Sequence, residues 1–190
     1  MASDKITRRP GGRTARNRAA VHQAVKVLLI EGGLASVTVP AVAARSGVHH
    51  TSIYRRWGTV QNLLLDVILA NVTRAVPTPD TGSLRGDVRQ FARDAAHAFQ
   101  DPLRAALAQA IFALPADDGT IRRRYWARRY ETLRPMFDRA ERRGETPPSP
   151  QDVVERILAP LYFRRFVTGR PVTNRFLDGL VDDALRTTAR

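Results

Sequence analysis

Within the twenty residues from Thr38 to Trp57 the chain gathers hydroxyl, imidazole, phenol and guanidinium groups: Thr38, His49, His50, Thr51, Ser52, Tyr54, Arg55 and Arg56. Such groups suit hydrogen bonding to base edges and phosphates better than the making and breaking of covalent bonds. Other chemistry is poorly provided for. The chain has no Cys, which removes disulfides, thiolate metal sites, iron–sulfur clusters and thiol nucleophiles. It has no Gly-rich phosphate loop, no HExxH pair and no Gly-x-Ser-x-Gly turn. The paired acids Asp117-Asp118 are expected in a loop and Asp182-Asp183 on a helix surface, so no catalytic set converges and no enzyme is expected. His49-His50 would make a poor metal pair, because adjacent side chains are expected to diverge and His22 and His97 lie elsewhere in the chain. Neither a metal nor a cofactor is expected.

Charge points the same way. The net charge is +13, and residues 1–58 hold ten Lys/Arg against two Asp/Glu, a net +8 in under a third of the chain. A localised excess of this kind suits a polyanion such as DNA. A composition that is 43% hydrophobic and 26% charged is that of a globular protein, and 190 residues suffice for one large domain or two small ones. The uncharged stretch from Gly32 to Ala44 is far too short and too broken by Gly and Pro to span a bilayer. No signal-peptide core follows the basic N-terminus, so a cytoplasmic location without a membrane partner is expected.

The elements that must position these residues read as helices throughout, and no alternating strand or internal repeat is found. Val21, Ala24, Val25, Leu28 and Leu29 recur at helical spacing between Arg16 and Gly32. Thr38 before Val39-Pro40 is a helix-start signature for a short second helix, Val39 to Ser46. Gly47 permits a turn into a third helix over about His50 to Arg56, and Thr59 caps a fourth that runs out before the Pro77 break. A fifth helix follows Leu84 to Phe99, a sixth Leu103 to Leu114, and a seventh about Thr120 to Arg143 with Pro135 inside it as a source of a kink. The eighth has the densest stripe, Val154, Ile157, Leu158, Leu161, Tyr162 and Phe166, with Pro160 interrupting its hydrogen-bond ladder; the ninth carries Phe176, Leu177, Leu180, Val181 and Ala184. The expected fold is all-α with about nine helices.

A short helix, a Gly turn and a second helix opening on small polar residues is helix-turn-helix geometry, whose second helix lies in the major groove. Thr38, the Val42-Ala43 pair, Gly47-Val48, Ile53-Tyr54, Trp57 and Leu63-Leu64 after Thr59 resemble the N-terminal domain of TetR-family transcriptional regulators. Leu158 to Val172, followed by Phe176 and Leu180, is similar to the last two helices of one C-terminal subclass of that family. The resemblance implies a helix-turn-helix domain over residues 1–58, a connector helix from 59 to about 74, and a ligand-binding and dimerisation domain over 75–190. DNA contacts then fall to Thr38, His49, His50, Thr51, Ser52, Tyr54 and Arg55. The family's frequent Ser is His49 here, its commoner Phe is Trp57, and its usual phosphate-binding Lys is Val60. Arg13, Arg16 and Arg18, on an N-terminal arm, are expected to compensate for that missing charge.

Three further expectations complete this reading. Phe91, Phe112, Trp126 and Tyr130 could wall an apolar cavity, with Arg104 and Gln109 orienting a small-molecule effector. Ile157, Leu158, Leu161, Tyr162, Phe166, Phe176 and Leu180 are expected to form a homodimer interface. The implied function is a repressor released from a palindromic operator in double-stranded DNA by a small lipophilic effector, with an activator or a ligand-independent regulator of the same fold as the alternative.

Overall fold

The computed structural model describes residues 11–75, 78–113 and 120–186; Pro77, Leu114, the Asp117-Asp118 pair and residues 187–190 lie outside them. The order is α1 (Gly11–Gly32), a 3₁₀ turn (Leu34–Ser36), α2 (Val39–Ser46), α3 (His50–Trp57), α4 (Val60–Ala75), α5 (Leu84–Ala98), α6 (Pro102–Ala113), α7 (Thr120–Arg142), α8 (Pro150–Tyr162), a π-helical turn (Phe163–Thr168) and α9 (Asn174–Leu185). Among the described residues there is no strand. The chain divides into two compact units, Met1–Val67 and Ile68–Arg190, and the division falls inside α4.

In the first unit α1 packs on α2 and α2 on α3. Val21, Val25 and Leu29 of α1, Val39 and Val42 of α2, Ile53 of α3 and Leu63 and Leu64 of α4 are buried, the apolar positions that the 3.6-residue period marks. Helix α1 begins five residues before Arg16, because Arg and Ala after Gly12 favour helix. The Thr38 hydroxyl accepts from the Ala41 N–H at 3.3 Å and so caps α2. Gly47 ends that helix at φ 67°, where a side chain would be strained, and its N–H returns to the Ala43 carbonyl at 3.0 Å.

In the second unit α5, α7, α8 and α9 pack on one another around Phe91, Phe99, Met136, Phe137, Ile157 and Leu161. Side-chain caps start the helices: Ser83 accepts from Gly86, Ser149 from Asp152 and Thr173 from Phe176. Asp87 is wholly buried, yet its carboxylate accepts from the Thr81 N–H at 2.6 Å and hydroxyl at 2.8 Å, which fixes the turn before α5. Arg139 and Arg143 of α7 stand 3.7 and 4.0 Å from its other oxygen. Arg89 pairs with Asp178 at 2.6 Å and Arg85 with Asp182, joining α5 to α9.

Two prolines test the sequence reading. Pro135 sits inside α7 on its exposed side, and the helix runs on past it. Pro160 has the larger effect. It cannot donate to the carbonyl of Arg156, and three residues later α8 gives way to the π turn, so the single eighth helix expected through Phe166 is split. Gly169 ends the turn at φ 64°.

Candidate nucleic-acid interface

Helix α3 is amphipathic in a functional sense. Ile53 is buried and Trp57 half-buried on its inner side, while His50, Thr51, Tyr54, Arg55 and Arg56 are exposed. Tyr54 is 51% exposed, so its phenol is free to reach outward. Ser52 is half-buried at the edge of this face. His49 caps the helix: its Nδ1 accepts from the Thr51 N–H at 3.4 Å and meets the Thr51 hydroxyl at 2.6 Å. The His49 and His50 rings do not diverge as their sequence adjacency suggested; with His49 in the cap and His50 in the first turn they lie 4.2 Å apart, centroid to centroid. Among the described residues no three His, Asp or Glu side chains gather to hold a metal ion.

The basic residues of α1 are placed differently from expectation. Arg13 and Arg16 are exposed, but they stand on the first turns of α1 rather than on an extended arm, and the Arg16 Nε donates to the Gly12 carbonyl at 3.2 Å. Arg18 faces inward. A groove of about 290 Å³ runs between α1 and α3, with Thr14, Asn17, Ser52, Arg55 and Arg56 on its walls. Thr14 and Asn17 join the polar surface by this route, which spacing along a single helix does not reveal.

Behind the exposed face lies a cluster the sequence reading missed. Asp66 of α4 accepts from Arg18 Nε at 3.1 Å and Nη2 at 2.5 Å, from Trp57 Nε1 at 2.9 Å, and meets His22 Nε2 at 2.9 Å. A carboxylate only accepts, so the His22 proton sits on Nε2. Burial alone would push the Asp66 carboxyl up, but the hydrogen bonds from Arg18, Trp57 and His22 outweigh it and hold the group well below the usual carboxylate range. Burial lowers the His22 imidazole by more than Asp66 raises it. Trp57 is therefore more than a larger Phe, since its N–H ties the end of α3 to α4. The available signal was Asp66 itself, a lone acid in the apolar run Leu63 to Ile68.

Residues 23–67 match the family described as bacterial regulatory proteins, tetR family, and residues 78–184 match the tetracyclin repressor-like C-terminal domain. The chain belongs to the TetR family. Its members are transcriptional regulators, not enzymes. This TetR-family chain is 35% identical over 136 residues to the HTH-type transcriptional regulator AqdR of Rhodococcus erythropolis, a match spanning 70% of the chain and 65% of that relative, just under two thirds. It is 26% identical over 173 residues to the uncharacterized regulator YdeS of Bacillus subtilis, covering 88% of the chain and 87% of the relative. The crystal structure of the TetR family transcription regulator SCO0332 is similar over 90% of the chain and 97% of its own, at a TM-score of 0.70 and 27% identity. No helix among the described residues is long and apolar enough to cross a membrane.

In the second unit of this TetR-family chain a cavity of about 100 Å³, partly open, lies among the end of α4, α5, α6, α7 and α8. Of the six expected cavity residues Arg104 lines it. Phe91 is buried in the core, Trp126 and Tyr130 pack half-buried against that core, and Gln109 is exposed. Phe112 is exposed as well, with its ring edge-on to Tyr162 at 4.8 Å. The walls come instead from Phe99, Leu107, Leu158, Tyr125, Arg129 and Tyr162 among others.

The expected interface residues also part company. Ile157, Leu158 and Leu161 are buried within their own chain against α5, α7 and α9, so they present nothing to a second copy. Tyr162, Phe166, Phe176 and Leu180 are half-buried. The π turn exposes Phe163 to 57% and Val167 to 69%, and the Arg164 guanidinium covers the Phe176 ring at 3.5 Å.

Proposed function

We propose that this protein is a homodimeric transcriptional repressor that binds a palindromic operator through α3 and is released by a small-molecule effector held in the second unit. The observation that carries the reading is α3 itself, buried through Ile53 and presenting His50, Thr51, Tyr54 and Arg55 to the outside. A helix of this kind lies in the major groove with its first residues against base edges. Thr51 and His50 are then base readers. Tyr54, Arg55, Arg13, Arg16 and the groove around Arg56 hold phosphates. The Thr38 hydroxyl, exposed beside its capping bond, adds a further phosphate donor.

Two copies bring two recognition helices to two half-sites, which is why the operator is palindromic. The face for the second copy is the exposed Phe163 and Val167, flanked by the half-buried Phe176 and Leu180. The effector works only by binding one arrangement of the dimer more tightly than another.

The test begins with selection of an operator from random duplexes, followed by fluorescence anisotropy. Raising salt from 50 to 200 mM is expected to weaken binding about 10³-fold or more if six or more phosphates are contacted. Tyr54→Phe is expected to weaken binding alike on all sequences, because it deletes a phosphate donor. Thr51→Ala is expected to change the order of preference among operators. Binding that ignores salt would overturn the interface.

A further inference from the structure

The cavity of the second unit carries charge of one sign only. Arg104 and Arg129 line it and no Asp or Glu does. Arg129 is half-buried, and its Nε is buried without a hydrogen-bond partner. Its guanidinium lies 5.2 Å from the Phe91 ring centre, and no carboxylate among the described residues pairs with it. Neighbouring arginines are treated otherwise: Arg89 has Asp178 at 2.6 Å, Arg139 has Asp80 at 3.2 Å, and Arg143 has Glu145 at 2.8 Å. A half-buried guanidinium with a buried N–H that has no acceptor and with no carboxylate partner gains from an anion arriving from outside.

The surroundings of Arg129 narrow the choice of anion. Burial holds the Tyr125 and Tyr162 phenols above their ordinary range, and the two lie within hydrogen-bonding reach of each other, which leaves one phenol proton to donate to a ligand. Ile68, Phe99, Leu107 and Leu158 make the remaining wall apolar. The enclosed space, about 100 Å³, is smaller than the roughly 150 Å³ of a cavity that accepts benzene, so a ligand of one ring at most fits, with part of it in the open mouth.

We infer that the cavity binds a single-ring aromatic carboxylate, its carboxylate paired with Arg129 and hydrogen-bonded by Tyr125 or Tyr162, its ring against Phe99, Leu107 and Leu158. Arg104, exposed at the mouth, draws the anion in. The inference rests on the effector reading above and names the effector's class.

The test is calorimetric titration of the full-length protein with benzoate and phenylacetate, each against its neutral counterpart, benzamide and phenylacetamide. Both acids are expected to bind at least tenfold tighter than their amides. Arg129→Gln is expected to erase that preference, weakening the acids tenfold or more and the amides less than threefold, whereas Arg129→Lys keeps part of it. If Arg129→Gln does not fold, Arg104→Gln and the wild-type acid-to-amide ratio decide instead. Equal affinity for acid and amide, or an Arg129→Gln protein that binds benzoate unchanged, overturns the anion assignment alone. Failure of all four compounds at millimolar concentration overturns the assignment and the effector reading together.

Discussion

Asp66→Ala is expected to lower the unfolding free energy of the first unit by about 3 kcal/mol, because it strands the Arg18 guanidinium and leaves the Trp57 and His22 N–H groups without an acceptor. The figure is at the low end for a broken ion pair because the Arg18 side chain is 42% exposed and regains water. Asp66→Asn keeps one acceptor and the shape, so it should cost about half as much. Urea unfolding followed by Trp57 fluorescence, in a Trp126→Phe background, reads the effect, and a loss under about 1 kcal/mol would show the cluster to be incidental. Since Trp57 closes α3, operator affinity should fall alongside stability.

The same cluster sets an acid response with a definite sign. The Asp66 pKa is depressed in the fold, so its contribution is present above the unfolded value of about 3.9 and is lost as pH falls toward the folded value. His22 is also depressed, by burial first and then by the charges of Arg18 and Lys26 set against the pull of Asp66. Protonating it works against the fold, so stability drops as pH falls below about 6.5. Acidification should therefore weaken the first unit in two stages, and His22→Gln should remove the earlier one. Stability that is flat from pH 7 to 5 in the wild type would rule out the His22 stage.

If the proposed dimer forms, Phe163→Glu combined with Val167→Glu is expected to convert it to monomers and to weaken operator binding on the order of 10²–10⁴-fold, since each half-site must then be held independently. Both side chains are mostly exposed in the single chain, so the substitutions leave its core intact. Leu161→Glu is the contrasting case. It places a charge at a position with no solvent exposure, and it should unfold the second unit rather than dissociate an intact dimer. Light scattering at micromolar concentration, with circular dichroism beside it, separates the two results. A monomeric wild type, or a dimeric double variant, would remove this face from the interface.

Helices were legible because each writes its buried side every three or four residues, and Leu84, Val88, Phe91, Ala92 and Ala95 do this so regularly that α5 could be read almost to its ends. The helix-turn-helix was legible for a second reason: Thr38 and Gly47 mark the two ends of α2 with local signals that need no tertiary knowledge, and so place the start of α3. What escaped was long-range. Asp66 meets partners 44 and 48 positions away, and nothing in the α4 sequence names them. The cavity escaped because periodicity singled out Phe91, Trp126 and Tyr130 without telling which aromatic faces packed side chains and which, like the neighbouring Tyr125, faces open space. The same ambiguity placed Leu161 at a dimer face when its own chain already covers it.

The π turn at Phe163–Thr168 also changes how the chain should be compared with its relatives. Hydrogen bonds from i to i+5 fit one more residue into a turn than i to i+4 bonds do. A relative whose helix stays α-helical through this region therefore aligns with a one-residue gap within Phe163–Thr168, and without that gap the positions of this last turn slip by about 100° around the helix axis as far as Gly169, where the helix ends. Residues transferred from such a relative by simple counting between Phe163 and Thr168 would be assigned to the wrong side of that turn.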